Sequence, residues 1–247
     1  MPTPSSLSSE ATDSDPSTPG TVSSDSSPTG TQPQPRPLLP LAKPLRLGLR
    51  IFAASAVGTA ATNAAIILFL TMAWSGQIGD SMLDPLGFGL DLAALVFIVV
   101  FLISYIFCVV MTCRWTFRAM KNLTLVGLAG TTSPGWAVGW YFIPFANLWM
   151  PFKATQDIWH GSLGGDTSTR LLGVWWALWI IANIVSNGAN RVFGLEPELN
   201  VLRLSLGIDA VTSLMLAVAA FALGRIVVRV ADAQDGGFAN PLIKVFS

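Results

Sequence analysis

Apolar residues gather into four long runs along this chain, separated by polar or charged stretches. The runs are "IFAASAVGTAATNAAIILFLTMAW" at 51–74, "LAALVFIVVFLISYIFCVVMTC" at 92–113, "LLGVWWALWIIANIVSN" at 171–187 and "SLGIDAVTSLMLAVAAFALG" at 205–224. A helix crosses the hydrocarbon core of a bilayer with about 20 predominantly apolar residues. The pattern therefore predicts an all-α membrane protein with four transmembrane helices. The middle of the first run holds Gly58, Ala60, Ala61, Thr62 and Ala64, small residues that allow close helix approach. Residues 75–90, with Gly76, Gly79, Asp80, Asp84 and Pro85, read as a loop.

A fifth stretch resists this reading. Trp136 to Phe152 carries no charge but contains Pro144, Asn147 and Pro151. As a straight helix it would reach about 25 Å, and each proline removes a backbone hydrogen bond and bends the axis. Charge asymmetry decides, because Lys and Arg prefer cytoplasmic loops. If the stretch does not cross, both termini are cytoplasmic. Arg36, Lys43, Arg46, Arg50, Arg114, Arg118, Lys121, Lys153, Arg170, Arg225, Arg229 and Lys244 then share that side, leaving Arg191 and Arg203 outside. If it crosses, every cation from Lys153 to Arg170 and from Arg225 onward changes sides and the asymmetry weakens. Residues 134–152 are therefore expected to form a re-entrant or interfacial Pro-containing segment. Trp136, Trp140, Tyr141 and Trp149 suit headgroup depth.

Composition agrees. The chain is 52% hydrophobic and 11% charged, against about 25% charged in soluble proteins. A net charge of zero gives no reason to invoke nucleic acid. Residues 1–42 are rich in Ser, Thr and Pro and cannot bury enough apolar surface to offset chain entropy, so a disordered cytoplasmic tail is expected there. The membrane domain is placed at 43–231 and a second cytoplasmic tail at 232–247. No short apolar run follows a basic start, so no cleavable signal peptide is expected. Cys108 and Cys113 end an apolar run and read as small fillers, and no cofactor or metal is expected.

After the second run, Arg114, Arg118 and Lys121 recur at helical spacing. Asn122 is assigned to the same face, with Trp115, Ala119, Met120 and Leu123 opposite. This is an amphipathic continuation of the span, suited to anchoring at phosphates or to holding an anionic headgroup. "WTFRAMKNL" followed by "SPGWAVGWYFIPFANLWMPFKATQDIW" resembles the signature of domain of unknown function 4328, a family of bacterial, mainly actinobacterial, multi-pass membrane proteins. Trp115, Arg118, Ala119, Asn122, Trp140, Ile143, Pro144, Asn147 and Pro151 carry the resemblance, which extends over roughly 50–230. It implies the architecture and a bacterial plasma (inner) membrane location, and no reaction.

Enzymatic motifs are absent. His160 has only Asp157 at ligand spacing, and no nucleophile elbow, zinc-protease motif or phosphate loop is present. A lipid-modifying enzyme would have to be built from Arg114, Arg118, Asn122, Asn147, Asp157 and His160. Asn63 and Asp209 are the polar residues inside apolar runs. An intramembrane acid is costly and marks a functional candidate. With the fourth span starting near Ser205, Asp209 lies one turn deep and is expected to snorkel to the outer interface or to pair with Arg203 or Arg191. The sequence thus supports a non-enzymatic membrane component that binds lipid headgroups or partner proteins through Arg114, Trp115, Arg118, Lys121, Asn122, Trp140, Pro144, Asn147 and Pro151. The alternative is a small transporter or channel using Asn63 and Asp209.

Overall fold

The computed structural model describes residues 34–165, 167–193 and 198–237. The disorder expected of the chain up to residue 33 and the tail from 238 onward lie outside the described residues. Among the described residues six helices follow in order: α1 Leu39–Trp74, α2 Asp80–Leu125, α3 Pro134–Gly139, α4 Met150–Leu163, α5 Arg170–Phe193 and α6 Leu199–Asp235. Two single 3-10 turns, Trp140–Phe142 and Ala146–Leu148, separate α3 from α4. Helices α1, α2, α5 and α6 contain the four apolar runs and are long and apolar enough to cross a membrane.

Each of these helices outruns its apolar stretch. Helix α2 has 46 residues, about 69 Å at 1.5 Å per residue, more than twice the hydrocarbon thickness. It starts at Asp80, so only 75–79 of the expected 75–90 loop is loop. Gly79 is extended at the N-cap and Asp80 sits in the first turn, where a carboxylate meets the positive end of the helix dipole. Pro85 removes one bond near an exposed end and does not stop the helix. Helix α1 also begins before the expected boundary at residue 43. Its first amides are capped from the far end of the chain: the Leu38 and Leu39 N–H groups donate to the two Asp235 carboxylate oxygens at 2.7 and 2.9 Å. Helix α6 accordingly runs on to Asp235, past the expected tail boundary at 232.

Helix α1 packs against both α2 and α6, and α5 packs against α6. Helices α2 and α5 share no packed interface, so the four form an open arc in the order α2, α1, α6, α5. In a bilayer, helices associate by close packing and polar contacts rather than by hydrophobic exclusion. The α1–α2 seam follows that rule. A Cβ at Gly48 would lie 2.6 Å from the Phe107 ring, and one at Gly58 would lie 2.2 Å from Phe97. Two glycines ten residues apart thus receive two rings ten residues apart on an antiparallel partner. The outer face of α2, including the apolar Leu95, Ile98, Leu102 and Ile103, is exposed.

The fifth stretch does not form a spanning helix. Ser133 caps α3 by accepting from the Trp136 N–H at 3.5 Å, and Pro134 opens it. Ile143, the residue before Pro144, is extended, as pre-proline sterics favour. Pro151 lies in the first turn of α4, where its missing N–H costs no helical bond. Its role is to start a helix, where a mid-helix kink was expected. Helix α4 then lies against α2 and α6, burying Ala154, Thr155, Ile158, Trp159 and Ser162 while Lys153 stays exposed. The most tightly enclosed side chains gather at this end: Trp115, Met120 and Leu123 of α2, Ile158 and Trp159 of α4, Ile226 and Val230 of α6.

Candidate functional site

The basic end is built by the continuation of α2. The helix runs unbroken from the apolar part of the span through Arg114, Arg118 and Lys121. Arg114 and Lys121 are exposed, and Arg118 is half-exposed and reaches the Pro37 carbonyl at 3.4 Å. Lys43, Arg46 and Arg50 of α1, Lys153, Arg170 and the α6 pair Arg225 and Arg229 are exposed as well. Asn122 departs from the face assigned to it. It is 3% exposed and sits with Trp115 and Ala119 on the buried side. Seven residues fall about 20° short of two turns, so Asn122 follows Trp115 inward.

There Asn122 closes a polar cluster between four segments. Its Oδ1 accepts from the Arg36 N–H at 2.9 Å, and its Nδ2 donates to the Arg36 carbonyl at 2.8 Å and to Gln234 Oε1 at 3.0 Å. Gln234 Nε2 donates to Ser162 Oγ at 2.9 Å and to the Ala119 carbonyl at 3.3 Å. The chain entering α1, the last turn of α6, α2 and α4 are therefore tied at one point. Sequence reasoning missed Arg36, Ser162, Gln234 and Asp235. One signal was available for Gln234, which continues the buried stripe of Val227, Val230 and Ala231 at helical spacing.

Asn63 and Asp209 come together. Asn63 Nδ2 donates to Asp209 Oδ2 at 2.7 Å across the α1–α6 seam. The expected pairing of Asp209 with Arg203 is not found, because α6 starts at Leu199 and carries Asp209 almost three turns inward. Arg203 instead donates to the Leu70 carbonyl at 3.0 Å. Gly224 faces Arg46 and Leu49, and Asp209 lies about 22 Å further along α6 from that level. The pair thus sits within the apolar layer, in the half away from the basic end.

The concave side of the arc encloses a cavity of about 310 Å³, lined by all four long helices and floored by the 134–149 segment. Phe52, Tyr105, Trp176 and Trp179 line its walls; Tyr141, Asn147, Thr112 and Cys113 carry the polar atoms at its basic end. Among the described residues no charged side chain lines it. The Trp176 indole N–H donates to the Leu148 carbonyl at 2.9 Å, which fastens the floor to α5. The Asn147 N–H donates to the Ile143 carbonyl at 2.8 Å, but its side-chain Oδ1 is enclosed without a partner among the described residues. Burial pushes the Tyr141 phenol up to about 12; Cys113 adds to the rise, and the Thr116 and Thr155 hydroxyls oppose it.

The remaining candidates disperse. Trp140 stacks on Trp136 with centroids 4.7 Å apart, and Pro144 is exposed between the 3-10 turns. Phe145 at the tip is 85% exposed, beside exposed Phe142 and Trp149. Asp157 accepts from Thr132 Oγ1 at 3.4 Å, whereas His160 Nδ1 has no partner. Cys108 and Cys113 are both thiols.

Comparison with known proteins places these observations. The family model described as "Domain of unknown function (DUF4328)" matches residues 88–232, from the first turns of α2 to the last of α6. No curated protein and no solved structure matches this chain.

Proposed function

Since this chain belongs to the DUF4328 family, whose description carries no activity, we propose from its geometry that it is a membrane component that binds anionic lipid headgroups at its basic end. The observation that carries this reading is the gathering of exposed cations from five helices at the end where the aromatic 134–149 segment lies. Anionic headgroups are recognised by such clusters at the membrane surface. By the positive-inside rule this end faces the cytoplasm of a bacterial plasma membrane, with both termini inside. Arg114 and Lys121 are the side chains of the α2 continuation best placed to meet a phosphate, because Asn122 is committed inside the protein and Arg118 touches Pro37.

Lipid retention tests the reading. Full-length protein in mixed phosphatidylglycerol and phosphatidylcholine nanodiscs should retain phosphatidylglycerol preferentially on transfer to detergent. The double variant Arg114→Gln, Lys121→Gln should lose that preference while keeping its fold. Equal retention of both lipids by the wild type would sink the proposal.

A second reading is favoured by one contact, the 2.7 Å Asn63–Asp209 hydrogen bond inside the apolar layer. Intramembrane carboxylates also serve proton and ion pathways. On that reading Asp209→Asn abolishes a pH-dependent flux into liposomes. On the favoured one it leaves the seam and lipid retention nearly unchanged.

A further inference from the structure

The arc leaves one side open, and the open side has the dimensions and chemistry of a lipid site. Helices α2 and α5 do not pack together, and the cavity lies in the gap between them, beside the apolar runs of both. Its volume of about 310 Å³ is at the lower bound for small-molecule pockets. It has room for about ten methylene-sized groups, each near the volume share of a water molecule. Tyr105 marks the far end and Cys113 the basic end on the same helix, eight residues or about 12 Å apart. Apolar walls above and uncharged polar groups below match a chain joined to an ester, not a free ion.

Two details point to an occupant. Asn147 lines the cavity, and its amide oxygen is enclosed without a partner among the described residues. Buried polar groups normally find a partner, and the same side chain carries an Nδ2 amide whose N–H groups donate to carbonyls. The Tyr141 phenol beside it remains protonated and able to donate. The exposed cations surround this same end: Arg114 follows Cys113, and Arg46 and Arg50 flank Leu49, which lines the cavity. Charge complementarity therefore favours a phosphate just outside the polar end.

We propose that the cavity between α2 and α5 holds one acyl chain of an anionic glycerophospholipid, with its ester region against Tyr141 and Asn147. The position of the phosphate rests on the headgroup reading above; the position of the chain does not.

Photolabelling of the full-length protein separates the two. The probe is phosphatidylglycerol carrying a diazirine on one acyl chain, in phosphatidylglycerol nanodiscs, with adducts mapped by peptide mass spectrometry. Adducts should concentrate on Tyr105, Val109 and Leu216 over the bilayer-facing Ile98 and Ile103. Ala220→Phe, which fills the cavity, should reduce the cavity adducts about tenfold, the loss expected when a few methylenes can no longer be buried. Adducts at Ile103 should not change. Asn147→Ala, at the floor, provides a second variant and should weaken cavity labelling without touching the helix seams. Even labelling inside and outside the cavity overturns the proposal, as does crosslinking of the cavity wall to a segment of this chain or to a second copy. A phosphatidylcholine probe that labels the cavity equally well keeps the chain site and removes the headgroup preference.

Discussion

The two flanks of α1 and the gap between α2 and α5 are made from the same kind of apolar helix but behave in opposite ways. On the sealed side, Gly48 and Gly58 admit the rings of Phe107 and Phe97, and Ala56, Ala60 and Ala217 are buried. On the open side stand Tyr105, Trp175, Trp176 and Trp179, which keep backbones apart and leave a cavity. Small residues set helix spacing in a bilayer because close packing, with polar contacts, is what holds apolar helices together. Where both helices present bulk, a loop segment fills the end of the gap and a cavity remains in the rest. The difference explains why the 134–149 segment contacts α5 through one indole hydrogen bond, whereas α1 and α6 share an extended interface.

The sharpest way to break this contrast is to put bulk into the seam. Gly58→Leu, at a site where even a Cβ meets Phe97, should cost about 3 kcal/mol, the upper part of the usual range for overpacking. Thermal or denaturant unfolding in detergent would register it. A loss below about 1 kcal/mol would mean that Phe97 swings aside and the seam is not tight. Asn122→Ala comes next, at about 2 kcal/mol, since it strands the buried Gln234 Oε1 and removes two part-buried bonds to the Arg36 backbone. It should also raise hydrogen exchange at Leu38 and Leu39, whose capping Asp235 adjoins Gln234. Unchanged exchange there would show that the cluster and the cap are independent. Asn63→Ala should cost about 1 kcal/mol, in keeping with hydrogen bonds between membrane helices.

On the open side, Ala220→Leu should cost less than 1 kcal/mol by the same unfolding assay, because the added atoms enter existing space. A loss comparable with that of Gly58→Leu would close the cavity as a real feature. The smallest effect is spectroscopic. In Tyr105→Phe, the phenolate absorbance reports Tyr141 alone, because the chain has two tyrosines. Its midpoint should lie at about 12, and stability should decline as pH rises from the ordinary tyrosine range toward that value. The sign follows from burial: the folded state holds the proton after the unfolded state has released it. A midpoint near 10 would place the hydroxyl in water and remove the polar floor.

Much of this architecture was legible in the chain. Four apolar runs demanded four spans, because each had the length of the hydrocarbon layer and nothing else would satisfy its backbone there. The charge pattern kept 134–152 from being a fifth, and Pro144 and Pro151 marked where helix could not simply continue. The cation face at Arg114, Arg118 and Lys121 followed from helical period. Side-chain partnerships did not follow, because they join residues far apart in sequence. Asn63 and Asp209 were both visible as intramembrane polar residues, yet only the antiparallel register of α1 and α6 makes them a pair. Asn122 carried the right motif position and the wrong expected face, since a seven-residue step from Trp115 and a four-residue step from Arg118 differ by only a fraction of a turn. Gln234 and Asp235 looked like the polar end of a helix, and it took the meeting of the start of α1 with the end of α6 to give them partners. The cavity has no local signature at all. It is the space left where four helices of known length arrange as an arc, and that arrangement is decided by which faces carry glycine and which carry tryptophan.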